Sequence, residues 1–176
     1  MWRLLTLILA FFPAACAAEL STTTPSPSRW ADDTRPAWSG MQRALTGRWE
    51  ATTRDSRTIM TSYRAVSNGS ALVETFTGSS GKETLSVYHH DGPALMLTHY
   101  CAQGNQVRLK ATVATSEKVT FTFLDATNVD GEQSVMRQLT FVLRPDGFDQ
   151  ESIYQSPRGE LEATTLHFVR AAKPSP

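Results

Sequence analysis

From residue 47 onward, hydrophobic and polar residues alternate along the chain, and this pattern continues almost to residue 170. A period of two is typical of β-strands that have one buried face and one solvated face. Turn-forming pairs such as Asn68-Gly69 and Asp91-Gly92 separate the alternating stretches. The pattern predicts ten strands, at residues 48–54, 58–66, 70–77, 84–90, 94–101, 106–114, 118–125, 137–144, 148–155 and 160–170.

The connections between these strands are short, and no helical pattern separates them. This favours an antiparallel meander. A sheet of about ten strands usually closes or splits in two, because closure removes its exposed edges. We therefore predict an all-β fold, an antiparallel up-and-down β-barrel of about ten strands, in preference to a two-sheet sandwich.

A short helix is predicted before the first strand. Ser39 is placed to cap its N-terminus, Met41, Ala44 and Leu45 give it one apolar side, and Gly47 ends it. The predicted barrel domain, including this helix, spans residues 39–172.

The N-terminal sequence predicts export. Residues 1–18 resemble a signal peptide, with Arg3, a short apolar run and small residues before a cleavage point. Cleavage near Ala18 is one processing route. The other is a bacterial lipobox, Ala14-Ala15-Cys16, in which Cys16 is lipidated, although Pro13 stands where such boxes usually carry Leu. The expected location is therefore periplasmic, membrane-anchored or secreted.

The remaining segments and the charge narrow the choice of partners. Residues 19–38 are rich in Thr, Ser and Pro and are predicted to be a disordered tether, with a disordered tail at 173–176. The chain has 17 basic and 17 acidic residues and no basic run, so nucleic acid is not an expected partner. Membrane contact is expected only through a lipid on Cys16.

A short motif connects the predicted helix and barrel to a known superfamily. The helix is followed by Gly47-Arg48-Trp49, and this arrangement resembles the calycin superfamily, which includes lipocalins and fatty-acid-binding proteins. The resemblance implies that Trp49 plugs one end of the barrel and that a basic residue of the last strand, here Arg170, packs across it. Residues 98–101 and 104–106 are similar to exported bacterial calycin-like proteins of unknown function, a resemblance that implies no activity.

The stretch from residue 84 to residue 108 concentrates the candidate chemistry, with three of the four histidines and one of the two cysteines. A three-residue turn at 91–93 would place His89, His99 and Cys101 on the interior face and Tyr88 on the exterior face. A two-residue turn would place His89 and His99 on opposite faces. In the first case the two histidines are about 13 Å apart along the sheet. Neither arrangement lets them share a metal ion, so no metal site is predicted.

We predict that His89, His99, Cys101 and Glu74 are polar contacts for a ligand in an otherwise apolar interior. Glu74 shares a face with Leu72, and a carboxylate on an apolar face is paired, hydrogen-bonded or at a rim. The competing interpretation makes these residues core histidines with internal partners, a rim charge and a buried thiol.

The sequence contains no Gly-x-Ser-x-Gly elbow, no His-Glu-x-x-His motif and no phosphate-binding loop. The leading hypothesis is a binding module for a small apolar or amphipathic molecule, with no cofactor. The alternatives are a structural or interaction protein with a side-chain-filled barrel, a haem-binding barrel with one axial histidine, and a hydrolase or isomerase.

Overall fold

The computed structural model describes residues 34–172, which form one helix and ten antiparallel strands. Each strand pairs with the next, and β1 also pairs with β10, so the sheet is a closed barrel. The prediction of an up-and-down barrel is confirmed. The elements are α1 (Arg35–Leu45), β1 (Gly47–Thr52), β2 (Thr58–Val66), β3 (Ala71–Thr77), β4 (Glu83–Asp91), β5 (Ala94–Tyr100), β6 (Gln106–Ala114), β7 (Lys118–Thr127), β8 (Val135–Leu143), β9 (Gly147–Gln155) and β10 (Leu161–Arg170), with a short 3₁₀ turn at Ser67–Gly69.

Helix α1 begins at Arg35, and its N-cap position lies five residues before Ser39, the predicted cap. Thr34 occupies the N-cap position and a proline lies in the first turn, where its missing N–H has no intrahelical acceptor to lose. Ser39 is therefore inside the helix and does not cap it, and residues 35–38 belong to the helix and not to a tether. The early start adds Ala37 and Trp38 to the buried face.

Several predictions fall on residues 1–33 and 173–176. The signal peptide, the lipidation of Cys16, most of the tether and the tail lie outside the described residues. Within residues 34–172, no helix has the length and apolar character needed to cross a bilayer.

Helix α1 covers one end of the barrel. The Gln42 side-chain amide donates to the Gly69 carbonyl at 2.8 Å, and the Thr34 hydroxyl donates to the Pro93 carbonyl at 2.8 Å. The Trp38 ring lies 5.5 Å from the His90 ring, measured between centroids. These contacts fix α1 to the β2–β3 and β4–β5 turns and close this end.

Trp49 and Arg170 lie directly beneath the helix. Trp49 is 3% exposed, and its indole N–H donates to the Leu45 carbonyl at 2.6 Å. Arg170 is its register partner on β10, with the guanidinium carbon 3.9 Å from the Trp49 ring centroid. The same guanidinium donates to the Thr46 carbonyl at 2.7 Å, just past the C-terminus of α1. The packing that the resemblance implied is present.

This contact explains the glycine of the Gly47-Arg48-Trp49 motif. Gly47 has φ +131°, and a Cβ at this position would lie 2.1 Å from Nη1 of Arg170. A side chain here would strain the backbone and displace the guanidinium from Trp49.

The half of the barrel next to α1 is filled by aromatic side chains. Phe148 stacks on Phe168 at 5.0 Å and meets Trp49 edge-on at 5.0 Å. Phe141 and Tyr88 pack above them with ring centroids 5.9 Å apart. Such contacts bury large apolar areas and pack this half of the interior with side chains.

The seam that closes the barrel is short. β1 and β10 share two residue pairs, Trp49 with Arg170 and Glu50 with Val169, whereas β9 and β10 share nine. The first half of β10 diverges from β1, and residues 161–165 are exposed. The residue pairs between β1 and β10 that close the barrel therefore lie at the plugged end. At the opposite end, β1 and β10 are not paired with each other.

The turn between β4 and β5 corrects the predicted orientation of β4. Asp91 pairs with Ala94, so the turn has two residues, and Gly92 takes φ 59°, which a primed hairpin turn requires at its first central position. Of the two turns that the sequence allowed, the two-residue turn is present, and the predicted interior position of His89, which needed a three-residue turn, is wrong. A one-residue change in register turns every side chain to the other face, so Tyr88 points into the barrel and His89 points out.

Candidate functional site

A cavity of about 430 Å³ occupies the half of the barrel away from α1. The β1–β2 and β3–β4 loops form part of its mouth, through Thr53, Arg57, Gly78 and Ser79. Its walls combine apolar residues with a few polar ones. The apolar residues are Ile59, Phe76, Met136, Leu139 and Leu166, and the main polar ones are Glu74, Ser86, His99, Gln150 and Tyr154.

The registers of β2 to β5 place four polar residues in one row across the sheet. Tyr63 on β2 is directly opposite Glu74 on β3, Glu74 is opposite Ser86 on β4, and Ser86 is opposite His99 on β5. All four are buried, with 2–4% of each residue exposed. We call Tyr63, Glu74, Ser86 and His99 the polar row.

Glu74 is the centre of the polar row. Its Oε2 accepts a hydrogen bond from the Tyr88 hydroxyl at 2.6 Å, and its Oε1 accepts one from the Tyr63 hydroxyl at 2.8 Å and a longer one from Thr61 at 3.4 Å. The Ser86 hydroxyl also lowers the pKa of this carboxyl group. Glu74 therefore faces the interior, as its phase predicted, and it is not a rim charge.

Burial and hydrogen bonding act in opposite directions on this carboxyl group. Burial raises the pKa of Glu74, because it disfavours the charged form, while the hydroxyl donors lower it, Tyr88 most strongly. Burial and the nearby Glu74 raise the pKa of both Tyr63 and Tyr88 well above the ordinary value. Both phenols therefore stay protonated and able to donate.

His99 faces the interior, as predicted, and is 4% exposed. Its Nδ1 lies 3.1 Å from the Ser86 hydroxyl oxygen, and its Nε2 lies 3.4 Å from the Tyr154 hydroxyl oxygen. Burial lowers the pKa of His99 to about 4, so the imidazole is neutral at pH 7. With the proton on Nδ1, His99 can accept from Tyr154 and donate to Ser86, which lies opposite Glu74 in the polar row.

The other two predicted contacts do not join this site. His89 is half-buried on the outer face, where its Nδ1 lies 3.2 Å from the His90 carbonyl oxygen. Cys101 is a free, half-buried thiol just beyond β5 and does not line the cavity. The prediction of one interior site is wrong for these two residues, because His89 depended on the three-residue turn and Cys101 lies past the end of its strand.

Sequence reasoning missed five interior polar residues. Ser86 and Tyr88 follow directly from a two-residue turn, which the sequence left open as an alternative. Tyr63, Gln150 and Tyr154 alternate in phase with buried neighbours, a signal that was available but that does not reveal which strands meet. Their convergence depends on register across several strands.

His99 is the one histidine among the residues that line this cavity. Both ring nitrogens of His99 have a neighbouring hydroxyl, so a bond from either nitrogen to iron would break the contact with Ser86 or Tyr154. Among residues 34–172, no group of three His, Cys, Asp or Glu side chains is close enough to hold a metal ion.

Comparison with known proteins does not assign the chain to a family. No protein-family model matches it, and no curated protein matches it significantly.

Proposed function

We propose that this chain is an exported, calycin-like binding protein that holds a small apolar or amphipathic molecule inside its barrel. The observation that carries the proposal is the cavity of about 430 Å³, with apolar walls around a few converging polar groups. Small-molecule sites in proteins are typically of this size, about 300–1,000 Å³, and of this composition. The contact between Trp49 and Arg170 and the ten-stranded barrel support the calycin-like relation.

The competing proposal, a structural protein with a filled barrel, receives less support. Aromatic side chains fill only the half of the interior next to α1. The other half combines a void with a buried carboxyl group and a buried imidazole. An interior selected for stability alone would replace these polar groups by packed apolar side chains, because burying a charge is costly.

The export part of the proposal rests on residues 1–18 and is tested separately. The mass of the mature protein distinguishes the two routes by which its N-terminus could be processed. Cleavage near Ala18 leaves an unmodified chain, whereas use of the lipobox leaves a lipidated Cys16 as the first residue.

Two neighbouring threonines on β10 allow a matched test of the binding site. Thr164 and Thr165 are both exposed, but Thr164 lines the cavity and Thr165 points away from it. Thr164→Trp should therefore place an indole in the cavity, and Thr165→Trp should add the same indole to the outer surface.

The assay is fluorescence titration with N-phenyl-1-naphthylamine, a neutral apolar probe. We expect the wild-type protein and Thr165→Trp to bind it with similar affinity and Thr164→Trp to bind at least about tenfold more weakly, a loss of about 1.4 kcal/mol. Equal affinity in the two variants, or no binding by the wild-type protein, would contradict the proposal.

A further inference from the structure

We propose that the cavity selects a ligand that carries a protonated amine and that the ammonium group binds to the Glu74 carboxylate. This inference rests on the proposed binding function and adds the chemical class of the ligand. The expected ligand has an apolar alkyl or aryl body and one cationic end.

The first step is the ionisation state that the hydrogen bonds around Glu74 can support. Both carboxyl oxygens accept from hydroxyl groups, Oε2 from Tyr88 and Oε1 from Tyr63. The 2.6 Å contact with Tyr88 has the length typical of an O–H group bonded to a carboxylate, about 2.5–2.7 Å. An ionised carboxylate only accepts, so two phenols that donate to Glu74 suit its charged form. The polar row is therefore able to hold Glu74 as an anion.

The second step is the lack of a protein cation beside this anion. In the described part of the chain, the Arg–Asp ion pairs lie at the surface, and none involves Glu74. Arg57 is the one cationic side chain lining the cavity, and it pairs with Asp55 at the mouth, at 2.6 Å. Glu74 is solvated only by neutral hydroxyls, so burial of its charge is not offset by an opposite charge.

A bound ammonium group would supply that missing charge. Its N–H groups could donate to the lone pairs of Glu74 that the hydroxyls leave free, because a carboxylate has about four acceptor positions. Burial raises the pKa of Glu74 and so disfavours its charged form in the free protein, whereas a nearby cation would lower this pKa and favour the carboxylate. The cost of the buried charge would then be recovered on binding.

The rest of the cavity fits the other end of such a molecule. Ile59, Phe76, Leu139 and Leu166 provide an apolar wall for an alkyl or aryl group. An anionic ligand such as a fatty acid would meet Glu74 without a lysine or arginine beside it. The cavity should therefore discriminate by charge as well as by size.

The test uses three eight-carbon probes with the full-length mature protein at pH 7.5: n-octylammonium, n-octanol and n-octanoate. Each is titrated by calorimetry or by displacement of N-phenyl-1-naphthylamine. We expect octylammonium to bind at least about tenfold more tightly than octanol, and octanoate to bind most weakly. Glu74→Gln should bring octylammonium and octanol to within about threefold of each other, because it keeps the shape of the side chain and removes the charge.

Glu151→Gln is the matched control, because it removes one negative charge from the outer face of β9. It should keep the wild-type order of affinities. If Glu74→Gln does not fold, the order measured with the wild-type protein still decides the question. Octanol binding as tightly as octylammonium would overturn this inference and leave the proposed function intact. If neither N-phenyl-1-naphthylamine nor any of the three probes binds, the proposed function fails and this inference fails with it.

Discussion

The buried His99 should make the protein less stable in mild acid. Its pKa is lowered from 6.5 to about 4 by burial, so the unfolded state binds a proton at a higher pH than the folded state does. Between pH 6.5 and pH 4 the unfolded state holds more protons, and the free energy of unfolding falls as pH falls. One pKa unit corresponds to about 1.36 kcal/mol, so the pKa shift of His99 can change the free energy of unfolding by at most about 3.4 kcal/mol. About 2–3 kcal/mol of this stability is lost between pH 7 and pH 4.5.

His99→Phe isolates this contribution. The variant should be less stable than the wild-type protein at pH 7, because Ser86 and Tyr154 lose a partner. It should, however, lose about 2–3 kcal/mol less stability than the wild-type protein between pH 7 and pH 4.5. The free energies of unfolding are measured by urea denaturation at several pH values in this range.

Comparing the two proteins cancels the contribution to stability of other groups that titrate in this pH range. Glu74 has a raised pKa, so its contribution to stability is present at low pH and is lost as pH rises, which opposes the effect of His99. Both proteins carry it, so it cancels to first order in the difference. Hydrogen bonds from Arg108 and Arg144 lower the pKa of Asp125 and Asp149, respectively, which keeps those carboxylates ionised at pH 4.5.

The control is His89→Phe, which removes a half-buried histidine from the outer face. It should leave the acid sensitivity of the wild-type protein in place. If His99→Phe and the wild-type protein lose equal stability on acidification, His99 is not buried in a neutral form and the described interior is wrong.

Two further predictions concern stability. Trp49→Ala should destabilise the domain by about 3–5 kcal/mol in urea denaturation, as large aromatic truncations in cores do, and a cost below about 1 kcal/mol would show that Trp49 does not plug the barrel. Tyr88→Phe should cost about 1.5–3 kcal/mol at pH 7, because it removes a hydroxyl that donates to the buried Glu74 carboxylate, whereas Tyr100→Phe on the exposed face should cost almost nothing. Equal costs for the two tyrosine variants would contradict the orientation of β4.

The fold could be predicted from local patterns because each strand carries its own alternation and its own turn signals. The predicted bounds of β2 and β6 match the structure at both ends, and the other strands agree within two residues at each end. The sequence does not show the start of α1, because the Thr, Ser and Pro content of residues 19–38 predicts a tether throughout this segment. Its last residues bury Ala37 and Trp38 against the barrel, a tertiary contact that composition does not show.

The site was harder to predict than the fold because it depends on how strands align. Glu74 and His99 were found from their phase on apolar faces. Ser86 lies between Glu74 and His99, and this arrangement depends on the registers of β3, β4 and β5 together. A β4–β5 turn one residue longer would point both Ser86 and Tyr88 outward, so the three-residue turn did not identify them. Hydrogen bonds between distant strands leave no period-two signal in the sequence.

The most direct test of the central claim is to locate a bound molecule by NMR. With methyl-labelled protein and unlabelled n-octanol, intermolecular nuclear Overhauser effects should connect the alkyl chain to the methyl groups of Leu139, Leu166 and Met136, which line the cavity. Effects confined to Met96 and Leu124, which line a groove on the outer surface beside the β4–β5 turn, would contradict the claim that the barrel interior is the binding site.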